Sequence, residues 1–338
     1  MIRAAFIGFG SIAHVAHLPA YLELEKEGKV KLVAVCDVRE DQFAVQETQN
    51  NMSSSSCAIG ADVHTYTDWQ EMLEKEKPDM VDICVPTFLH ADIATKVLKA
   101  GCNVLCEKPM SYTYPLCQQM IAAAKESGKQ LMIGQCLRFS AHYNYLKKLV
   151  DEGTYGKVLG GVFHRLSAPP IWGWENWYMD YTKAQGAITD LHIHDIDMIR
   201  YLFGEPQAVT CDTTDSCSKK DTAFSTLYYN GFAMHAVGDW SLEGMPFVAD
   251  FRVSFEKATV AFAGGEITVY PRGGEAFVAP ITDGSFYTNE IRFFVEHLLS
   301  GEENTVNTPE SAAGTIRLIE ALIASSDQNG ALLPYSAE

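Results

Sequence analysis

The chain has 338 residues, of which 47% are hydrophobic, 11% aromatic and 20% charged, a composition typical of globular proteins. This length divides most simply into two domains, since domains commonly contain about 100–200 residues. Acidic residues outnumber basic ones by 43 to 26, which gives a formal net charge of −17. The negative field repels phosphate backbones and anionic lipid headgroups, so neither a nucleic-acid partner nor a membrane partner is expected.

The nine cysteines form no CxxC pair, and Cys36 and Cys84 lie in apolar runs where a thiol behaves as a small hydrophobic group. Reduced thiols and a cytoplasmic location are therefore expected. The uncharged stretch from Ala4 to Leu22 contains glycines, histidines and a proline, which disfavours a membrane-spanning helix. It also lacks the features of a signal peptide, so no targeting segment is expected.

In residues 1–135, short apolar runs alternate with longer amphipathic runs, the pattern of parallel strands joined by covering helices. Helices are predicted at Ala91–Ala100 and Pro115–Ser127, each followed by a glycine suited to end it. The polar run Asn50–Ser56 is predicted to be a solvated loop. The alternating pattern predicts the α/β class, with a doubly wound parallel Rossmann sheet. Its predicted strands are Ile2–Ile7, Leu32–Cys36, Met80–Val85, Asn103–Cys106 and Gln130–Ile133.

Residues 136–338 are predicted to form a second α/β domain with a large, mostly antiparallel open sheet. Two helical patterns close the chain, Thr288–Ser300 and Pro309–Ser325, and the sequence leaves open which domain the helix over 309–325 packs against. The predicted strands of the second sheet are Lys157–Leu166, Thr222–Tyr229, Phe232–Leu242, Phe247–Phe255, Thr259–Phe262 and Glu266–Tyr270.

A glycine-rich turn follows the first predicted strand, where Gly8-Phe-Gly10-Ser11-Ile12-Ala13 matches the G-x-G-x-x-G/A pattern. The first glycine permits a tight turn, and the second lets backbone N–H groups approach a pyrophosphate. Asp37 closes the second predicted strand, where its carboxylate can accept hydrogen bonds from a ribose 2′-hydroxyl. The pattern predicts a dinucleotide site that favours NAD, while Arg39 could neutralise the 2′-phosphate of NADP.

A charged pair, Glu107-Lys108, precedes Pro109 at the end of another predicted strand. The carboxyl ends of parallel strands are where open α/β sheets hold ligands. On spacing alone, a catalytic lysine and a structural ion pair both remain open.

Two histidines and three aspartates occur between Asp190 and Asp197. Asp190 and His194 are four positions apart and would share one face of a helix, a spacing that metal sites use. No cysteine or second ligand cluster supports a metal here, so no metal is expected. His192 and Asp195 have an alternative role in stabilising the start of the helix that follows.

These motifs resemble those of the glucose-fructose oxidoreductase, inositol dehydrogenase and MocA-type dehydrogenases, and the likeness spans nearly the whole chain. The family resemblance implies an N-terminal Rossmann domain and a C-terminal α/β domain whose open sheet often supports dimers or tetramers. It rests on the glycine turn with His17-Leu-Pro19, Pro86-Thr87-Phe-Leu-His90, Glu107-Lys108-Pro109, Arg138-Phe139, Gly153-Thr-Tyr-Gly156-Lys, Asp190-Leu-His192-Ile-His194-Asp-Ile-Asp197 and Thr308-Pro309-Glu310.

The resemblance implies that Lys108, Asp190 and His194 are the catalytic set. Lys108 would be the acid or base, Asp190 would fix the substrate, and His194 would share the proton relay or hold the hydroxyl group. The cofactor-binding residues implied by these motifs are Gly8, Gly10, Ser11, Ile12, Asp37, Pro86, Thr87, His90, Glu107 and Lys108.

Weaker substrate-binding candidates are Arg138, Trp174, Trp177, His192 and Tyr287. Indole faces suit the C–H faces of sugar rings, although aromatic residues in such a cluster equally often anchor a loop. Many relatives carry glycine where His192 stands, which leaves the substrate pocket, rather than the catalytic set, in question.

The predicted function is NAD-dependent hydride transfer at a secondary hydroxyl or ketone of a sugar, inositol or related polyol, by a homodimer or homotetramer. Two alternatives remain open. One is a redox-neutral, NAD-dependent glycosidase on the same fold, and the other is a non-enzymatic NAD-binding sensor or regulator.

Overall fold

The computed structural model describes residues 1–44, 48–49, 54–55, 57–282 and 284–337. The chain divides into two units. The first contains Met1–Cys136 and Ser285–Ala313, and the second contains Leu137–Gly284 and the chain from Gly314 onwards. Each unit is thus built from two separate stretches of sequence.

The strands of the first unit are β1 (Ile2–Ile7), β2 (Val30–Cys36), β3 (Thr48–Gln49), β4 (Ser54–Ser55), β5 (His64–Tyr66), β6 (Met80–Ile83), β7 (Asn103–Glu107) and β8 (Leu131–Gly134). Six of them form a parallel sheet in the order β5-β2-β1-β6-β7-β8. This is the strand order of a doubly wound, dinucleotide-binding sheet. The strands β3 and β4 form a separate antiparallel pair.

The described part of Met1–Cys136 also contains four α-helices. They are α1 (Leu18–Lys26), which continues a π-helical turn at Ala13–His17, α2 (Trp69–Glu76), α3 (His90–Lys99) and α4 (Tyr114–Ser127). Helices α3 and α4 correspond, within one residue at each end, to the helices predicted at Ala91–Ala100 and Pro115–Ser127. Asp68 caps α2 by accepting the N–H of Gln70 at 2.8 Å. Gly128 ends α4 in the left-handed region, at φ +67°.

The second unit contains helices α5 (Ala141–Asp151), α6 (Tyr181–Ala184), α7 (Ala187–Asp190) and α8 (Ile193–Phe203). Its strands are β9 (Val158–Leu166), β10 (Ala208–Thr214), β11 (Thr222–Tyr229), β12 (Phe232–Asp239), β13 (Val248–Phe255), β14 (Ala258–Ala263), β15 (Glu266–Pro271), β16 (Phe277–Val278) and β17 (Leu333–Pro334). They form a nine-stranded sheet in the order β16-β15-β14-β13-β9-β12-β11-β10-β17. Within this nine-stranded sheet, only β9 and β12 pair in parallel among the described strands.

The two faces of this sheet differ in exposure. Alternate residues such as Phe163, Phe251 and Val253 are buried against the helices of the unit. On the opposite face, Phe224 and Tyr270 are each 50% exposed. The sheet is therefore open on one side.

The later stretch of the first unit contains α9 (Phe286–Ser300) and the start of α10 (Pro309–Ser326), whose remainder belongs to the second unit. Helix α9 packs against α1, and Arg292 pairs with Glu23 and Glu27. Asn307 Nδ2 donates to the backbone oxygen of Ile133 at the end of β8.

The fold class predicted from the sequence is confirmed: a Rossmann sheet and a mostly antiparallel open sheet are both present. In the run Asn50–Ser56, Ser54–Ser55 form β4, while residues 50–53 and 56 lie outside the described residues. The helices found in the described part of the chain are all too short or too polar to span a membrane.

Candidate functional site

The candidate cofactor residues of the first unit lie along one edge of its parallel sheet. The glycine turn follows β1, and Asp37 follows β2. The loop from Pro86 to His90 comes after β6, and Glu107 ends β7 directly before Lys108. All four positions are carboxyl ends of strands, which is the edge where open α/β sheets bind ligands.

The glycine turn has the geometry that a phosphate-binding turn requires. Gly8 has φ +86°, and a Cβ added there would lie 2.7 Å from the backbone carbon of Cys84. Any other residue at position 8 would therefore be strained and would clash with backbone. A Cβ added at Gly10 would meet no atom of the described residues within 4 Å, so the backbone is open to a ligand there.

The side chains of Ser11 and Asp37 add polar groups to this candidate cofactor site. The buried Ser11 hydroxyl oxygen has no hydrogen-bond partner among the described residues. The Asp37 carboxylate accepts the N–H of Phe9 at 2.8 Å and that of Arg39 at 2.9 Å. It is thereby held beside the turn. This combination of open backbone, an available hydroxyl group and a fixed acid fits the pyrophosphate and ribose of a dinucleotide.

The Glu107 carboxylate is hydrogen-bonded to the backbone of Lys108. The N–H of Lys108 donates to Glu107 Oε2 at 2.9 Å, and the Lys108–Pro109 peptide bond is cis. The ring nitrogens of His90 lie 2.8 Å from the backbone oxygens of Pro109 and Val85. Burial lowers the pKa of His90. The loop after β6, with buried Thr87, is thus tied to the segment that carries Lys108.

A buried histidine, His17, joins two of the central strands. Its Nδ1 lies 2.7 Å from Asp82 Oδ2 in β6, and its Nε2 lies 2.9 Å from Glu107 Oε1 in β7. Burial alone would lower the pKa of His17, but the neighbouring Asp82 and Cys84 together outweigh this effect, and the pKa is raised well above its usual value. The sequence motifs predict no role for His17 or Asp82. The signal that could have identified this cluster is Asp82, a charged residue in the middle of the apolar run Met80–Val85.

Donor atoms of His17, Asp82 and Cys84 lie within 4.8 Å of one another, which raises the possibility of a metal site. The imidazole and the carboxylate are already hydrogen-bonded to each other, however. Burial also raises the pKa of the Cys84 thiol, which disfavours the thiolate that a metal would need. We therefore interpret the cluster as a hydrogen-bonded ion network.

The remaining catalytic candidates, Asp190 and His194, belong to the second unit. Asp190 is the last residue of α7 and His194 is the second residue of α8, so they do not lie on one regular helix as the spacing had predicted. The chain between them, Leu191–His192, keeps helical dihedral angles but breaks the hydrogen-bond pattern. Both side chains are half-buried.

Helix α8 is fixed by two buried ion pairs, made by residues that follow His194 in the same helix. Asp195 accepts two hydrogen bonds from Arg165 in β9, at 2.9 and 3.0 Å. Asp197 accepts two from Arg138, at 2.9 and 2.7 Å, and one from the Thr315 hydroxyl in α10 at 2.7 Å. Because buried charges need such partners, these bonds hold the helix in one position.

The weaker substrate candidates lie in different surroundings. Arg138 is buried, binds Asp197 and places its guanidinium carbon 4.8 Å from the Tyr201 ring centre. Trp177 is buried and stacks on Tyr178 with ring centres 3.9 Å apart, whereas Trp174 is 38% exposed. Tyr287 belongs to the first unit, with its ring centre 6.1 Å from that of His17. Of these four, Trp174 has the indole most available to a ligand.

His192 is completely buried in the second unit. Its Nε2 lies 2.8 Å from the Ser225 hydroxyl oxygen in β11. A Cβ added at Gly238 would lie 2.7 Å from His192 Nδ1, so the ring fills space that only glycine leaves free. Burial, with the nearby positive charge of Arg165, lowers the pKa of His192 to about 3. This position favours a structural role.

The buried imidazole makes the second unit sensitive to acid. Its pKa in the folded protein is below the value of 6.5 for a free imidazole, so the unfolded chain binds more protons between about pH 6.5 and 3. We expect this site to lower the free energy of unfolding by about 2 kcal/mol between pH 7 and 5. Urea unfolding can be followed by tryptophan fluorescence, since Trp172, Trp174, Trp177 and Trp240 all lie in this unit.

The variant His192→Gln should lose this part of the pH dependence. The matched control His235→Gln changes a histidine of β12 whose Nδ1 lies 3.0 Å from the Thr226 hydroxyl oxygen on the exposed side of the sheet. That control should keep the full pH dependence. An unchanged difference between pH 7 and 5 in His192→Gln would show that His192 is not its source.

Comparison with known proteins agrees with both halves of the fold. Residues 2–135 match an oxidoreductase family with an NAD-binding Rossmann fold, and residues 143–261 match the GFO/IDH/MocA C-terminal domain. The chain is 31% identical over 251 residues to the D-glucoside 3-dehydrogenase of Escherichia coli K12, which covers 68% of each protein.

A second relative is the 2,7-anhydro-N-acetylneuraminate hydratase of Mediterraneibacter gnavus, 31% identical over 193 residues, which cover 55% of this chain and 46% of the relative. A levoglucosan dehydrogenase, solved in complex with NADH and levoglucosan, superposes with a TM-score of 0.84 at 18% identity, over 98% of this chain and 99% of that chain. This likeness shows a shared fold. From the two family matches and the glucoside dehydrogenase relative, the chain belongs to the Gfo/Idh/MocA family of NAD-binding oxidoreductases.

Proposed function

We propose that this enzyme is an NAD-dependent dehydrogenase that acts on a secondary hydroxyl or ketone of a sugar, inositol or related polyol. The observation that carries the proposal is the position of Lys108, which follows β7 at the same sheet edge as the glycine turn and Asp37. The resemblance to D-glucoside 3-dehydrogenase supports the substrate class. When bound, NAD supplies the hydride acceptor.

Lys108, Asp190 and His194 are the proposed catalytic residues. Lys108 accepts the proton of the reacting hydroxyl group during oxidation and returns it during reduction. Asp190 accepts a hydrogen bond from the substrate and orients the reacting hydroxyl group. His194 holds a hydroxyl group or passes its proton onward.

The proposed cofactor contacts come from the first unit. Backbone N–H groups at Gly10, Ser11 and Ile12, with the Ser11 hydroxyl, would bind the pyrophosphate. Asp37 would bind the adenosine ribose, and the segments Pro86–His90 and Glu107–Lys108 would line the cofactor site.

Among the substrate candidates, the exposed indole of Trp174 is suited to a sugar face. Arg138, Trp177, His192 and Tyr287 are proposed to support the shape of the site, since Arg138, Trp177 and His192 are buried and engaged with neighbouring residues.

The test is to measure NADH formation by absorbance with purified protein, NAD⁺ or NADP⁺, and a panel of inositols, aldoses, glycosides and sugar acids. Accumulation of NADH with one substrate class supports the dehydrogenase. A protein that binds NADH and has no reaction with any member of the panel would contradict it.

A redox-neutral reaction is the second candidate, and the hydratase relative favours it. In such a reaction the substrate is oxidised transiently, undergoes elimination and then regains its hydride. Release of nitrophenol from nitrophenyl glycosides without lasting NADH would support this alternative. A sensor function would instead show tight NADH binding with a protein partner and no turnover of either kind.

The choice between NAD and NADP depends on Asp37 in this proposal. We expect Asp37→Ser to raise the ratio of kcat/KM with NADP⁺ to that with NAD⁺ by about tenfold or more, because it removes a charge that repels the 2′-phosphate. The matched control is Glu40→Ser, an exposed acid in the neighbouring turn, which should change this ratio less than about twofold. Equal NADP⁺-to-NAD⁺ ratios of kcat/KM in Asp37→Ser and Glu40→Ser would contradict the role of Asp37 in selecting NAD over NADP.

We also propose that the open face of the second sheet associates with a second copy of the chain, to give a homodimer or homotetramer. Aromatic side chains exposed on that face, such as Phe224 and Tyr270, support this assembly. Light scattering that gives a monomer mass at working concentration would contradict it.

A further inference from the structure

A buried carboxylate in the centre of the parallel sheet calls for an explanation. Asp82 lies within β6, and its side chain is completely buried. Placing an ionised carboxylate there is unfavourable unless a charged or hydrogen-bonding partner compensates for the lost hydration. The charged partner is His17, whose Nδ1 lies 2.7 Å from the Asp82 carboxylate, and the Cys84 thiol also donates to that carboxylate at 3.4 Å.

The local backbone places this imidazole between two acids. His17 is the last residue of the π-helical turn Ala13–His17, which lies between the glycine turn and α1. A π-helical turn inserts an extra residue into a helix and is frequent at functional sites. Nδ1 bonds to Asp82 and Nε2 to Glu107, so both ring nitrogens face carboxylates. An imidazole that donates to both must carry a proton on each nitrogen.

The second acid, Glu107, connects this cluster to the backbone of Lys108. Its Oε1 accepts from His17, while its Oε2 accepts the N–H of Lys108 at 2.9 Å. A Cβ added at Gly134 of β8 would lie 3.2 Å from Oε1, so the carboxylate has little room on that side. The pKa of Glu107 is lowered because His17, with Lys108, outweighs the opposing effect of burial.

We propose that His17 is a positioning residue for Lys108. It holds Glu107 in the orientation that caps the Lys108 N–H, and Asp82 holds His17 in turn. This chain of contacts fixes the backbone from which the lysine side chain leaves the sheet edge. The inference rests on the proposed function only in assigning a catalytic role to Lys108, because the contacts themselves do not depend on it.

The first test measures amide hydrogen exchange by mass spectrometry, and it needs no substrate. We expect His17→Gln to increase the exchange rate of the Lys108 amide by about tenfold or more, while the amides of Val104–Cys106 in the preceding strand β7 change by less than about twofold. Asp82→Asn should give the same pattern more weakly, since it keeps an oxygen that can accept from His17 but removes the charge.

The matched control is His14→Gln, which changes the other histidine of the same π-helical turn. His14 Nε2 lies 2.9 Å from the backbone oxygen of Gln42 and has no contact with Glu107 in the hydrogen bonds described. The control should leave Lys108 exchange within about twofold of the parent. Equal acceleration of the Val104–Cys106 and Lys108 amides in His17→Gln would indicate general destabilisation and would overturn the proposal, as would no acceleration.

The second test is a double-mutant cycle on kcat with His17→Gln and Glu107→Gln. Each single variant should lower kcat by about tenfold or more, because a displaced catalytic group slows the reaction. If His17 acts through Glu107, the double variant should be no slower than the slower single variant. Multiplied effects would show that His17 acts independently of Glu107.

These two tests separate the inference from the proposed function. If Lys108→Met retains normal turnover, the catalytic role of Lys108 fails, and the exchange experiment still decides whether His17 positions its backbone. If Lys108→Met is inactive and Lys108 exchange is unchanged in His17→Gln, only the positioning role fails.

Discussion

Replacing Lys108 with methionine should lower kcat by about 10²–10⁴-fold, the range associated with loss of general acid–base catalysis. Methionine preserves much of the length of the side chain but cannot accept or donate the proton. The Kd for NADH should stay within about threefold of the parent value. Glu107 accepts its hydrogen bond from the backbone N–H of Lys108, and the substitution retains that N–H group. Steady-state kinetics and NADH fluorescence titration measure the two quantities separately.

Two further variants make this result specific. Lys108→Arg keeps the positive charge, but a guanidinium group does not lose its proton in proteins, so this variant should also be slow. Lys96→Met removes an exposed lysine of α3 that pairs with Asp92, and it should leave kcat unchanged. Activity close to the parent in Lys108→Met or Lys108→Arg would contradict proton transfer by Lys108.

Replacing Asp197 with alanine should destabilise the second unit by about 3–5 kcal/mol, the usual effect of breaking a buried ion pair. The substitution removes the carboxylate that balances the buried Arg138 guanidinium and accepts the Thr315 hydroxyl group. Because it also loosens α8, which carries His194, we expect lower kcat at temperatures where the protein is still folded.

Urea unfolding followed by tryptophan fluorescence measures this change in the second unit. Thr315→Val is the graded control, since it removes a hydrogen bond to Asp197 but leaves the ion pair intact, and it should cost about 1 kcal/mol. A loss below about 1 kcal/mol in Asp197→Ala would show that water or local rearrangement compensates for the missing carboxylate.

The sequence predicted the sheets well because their strands are apolar runs bounded by turns. The strands predicted at Ile2–Ile7 and Thr222–Tyr229 have the same bounds as the observed β1 and β11. Strands with weaker patterns were missed, such as β5, which has three largely exposed residues, and β10, whose sequence AVTCDTT is mostly small and polar. Pairing with neighbouring strands determines these elements, and local sequence does not record that pairing.

The candidate site was predictable where it depends on local motifs, as at the glycine turn and Glu107-Lys108-Pro109. The His17 cluster was not, because its hydrogen bonds join residues 65 and 90 positions apart. Likewise, Arg138 suggested a ligand contact in the sequence, yet its partner, Asp197, is 59 positions away. Such long-range pairs arise from packing in three dimensions, and a single sequence gives only weak signals for them.

The first unit is built from two stretches of sequence that the ribosome synthesises at different times. Residues up to Cys136 leave the ribosome before α9, which packs against α1, and before Asn307, which bonds to the end of β8. The whole strand set from β9 to β16 is made in between. At about 5–20 residues per second, the nascent parallel sheet waits on the order of 10 s or more with its α9-binding surface uncovered. During that interval, chaperones can recognise this surface.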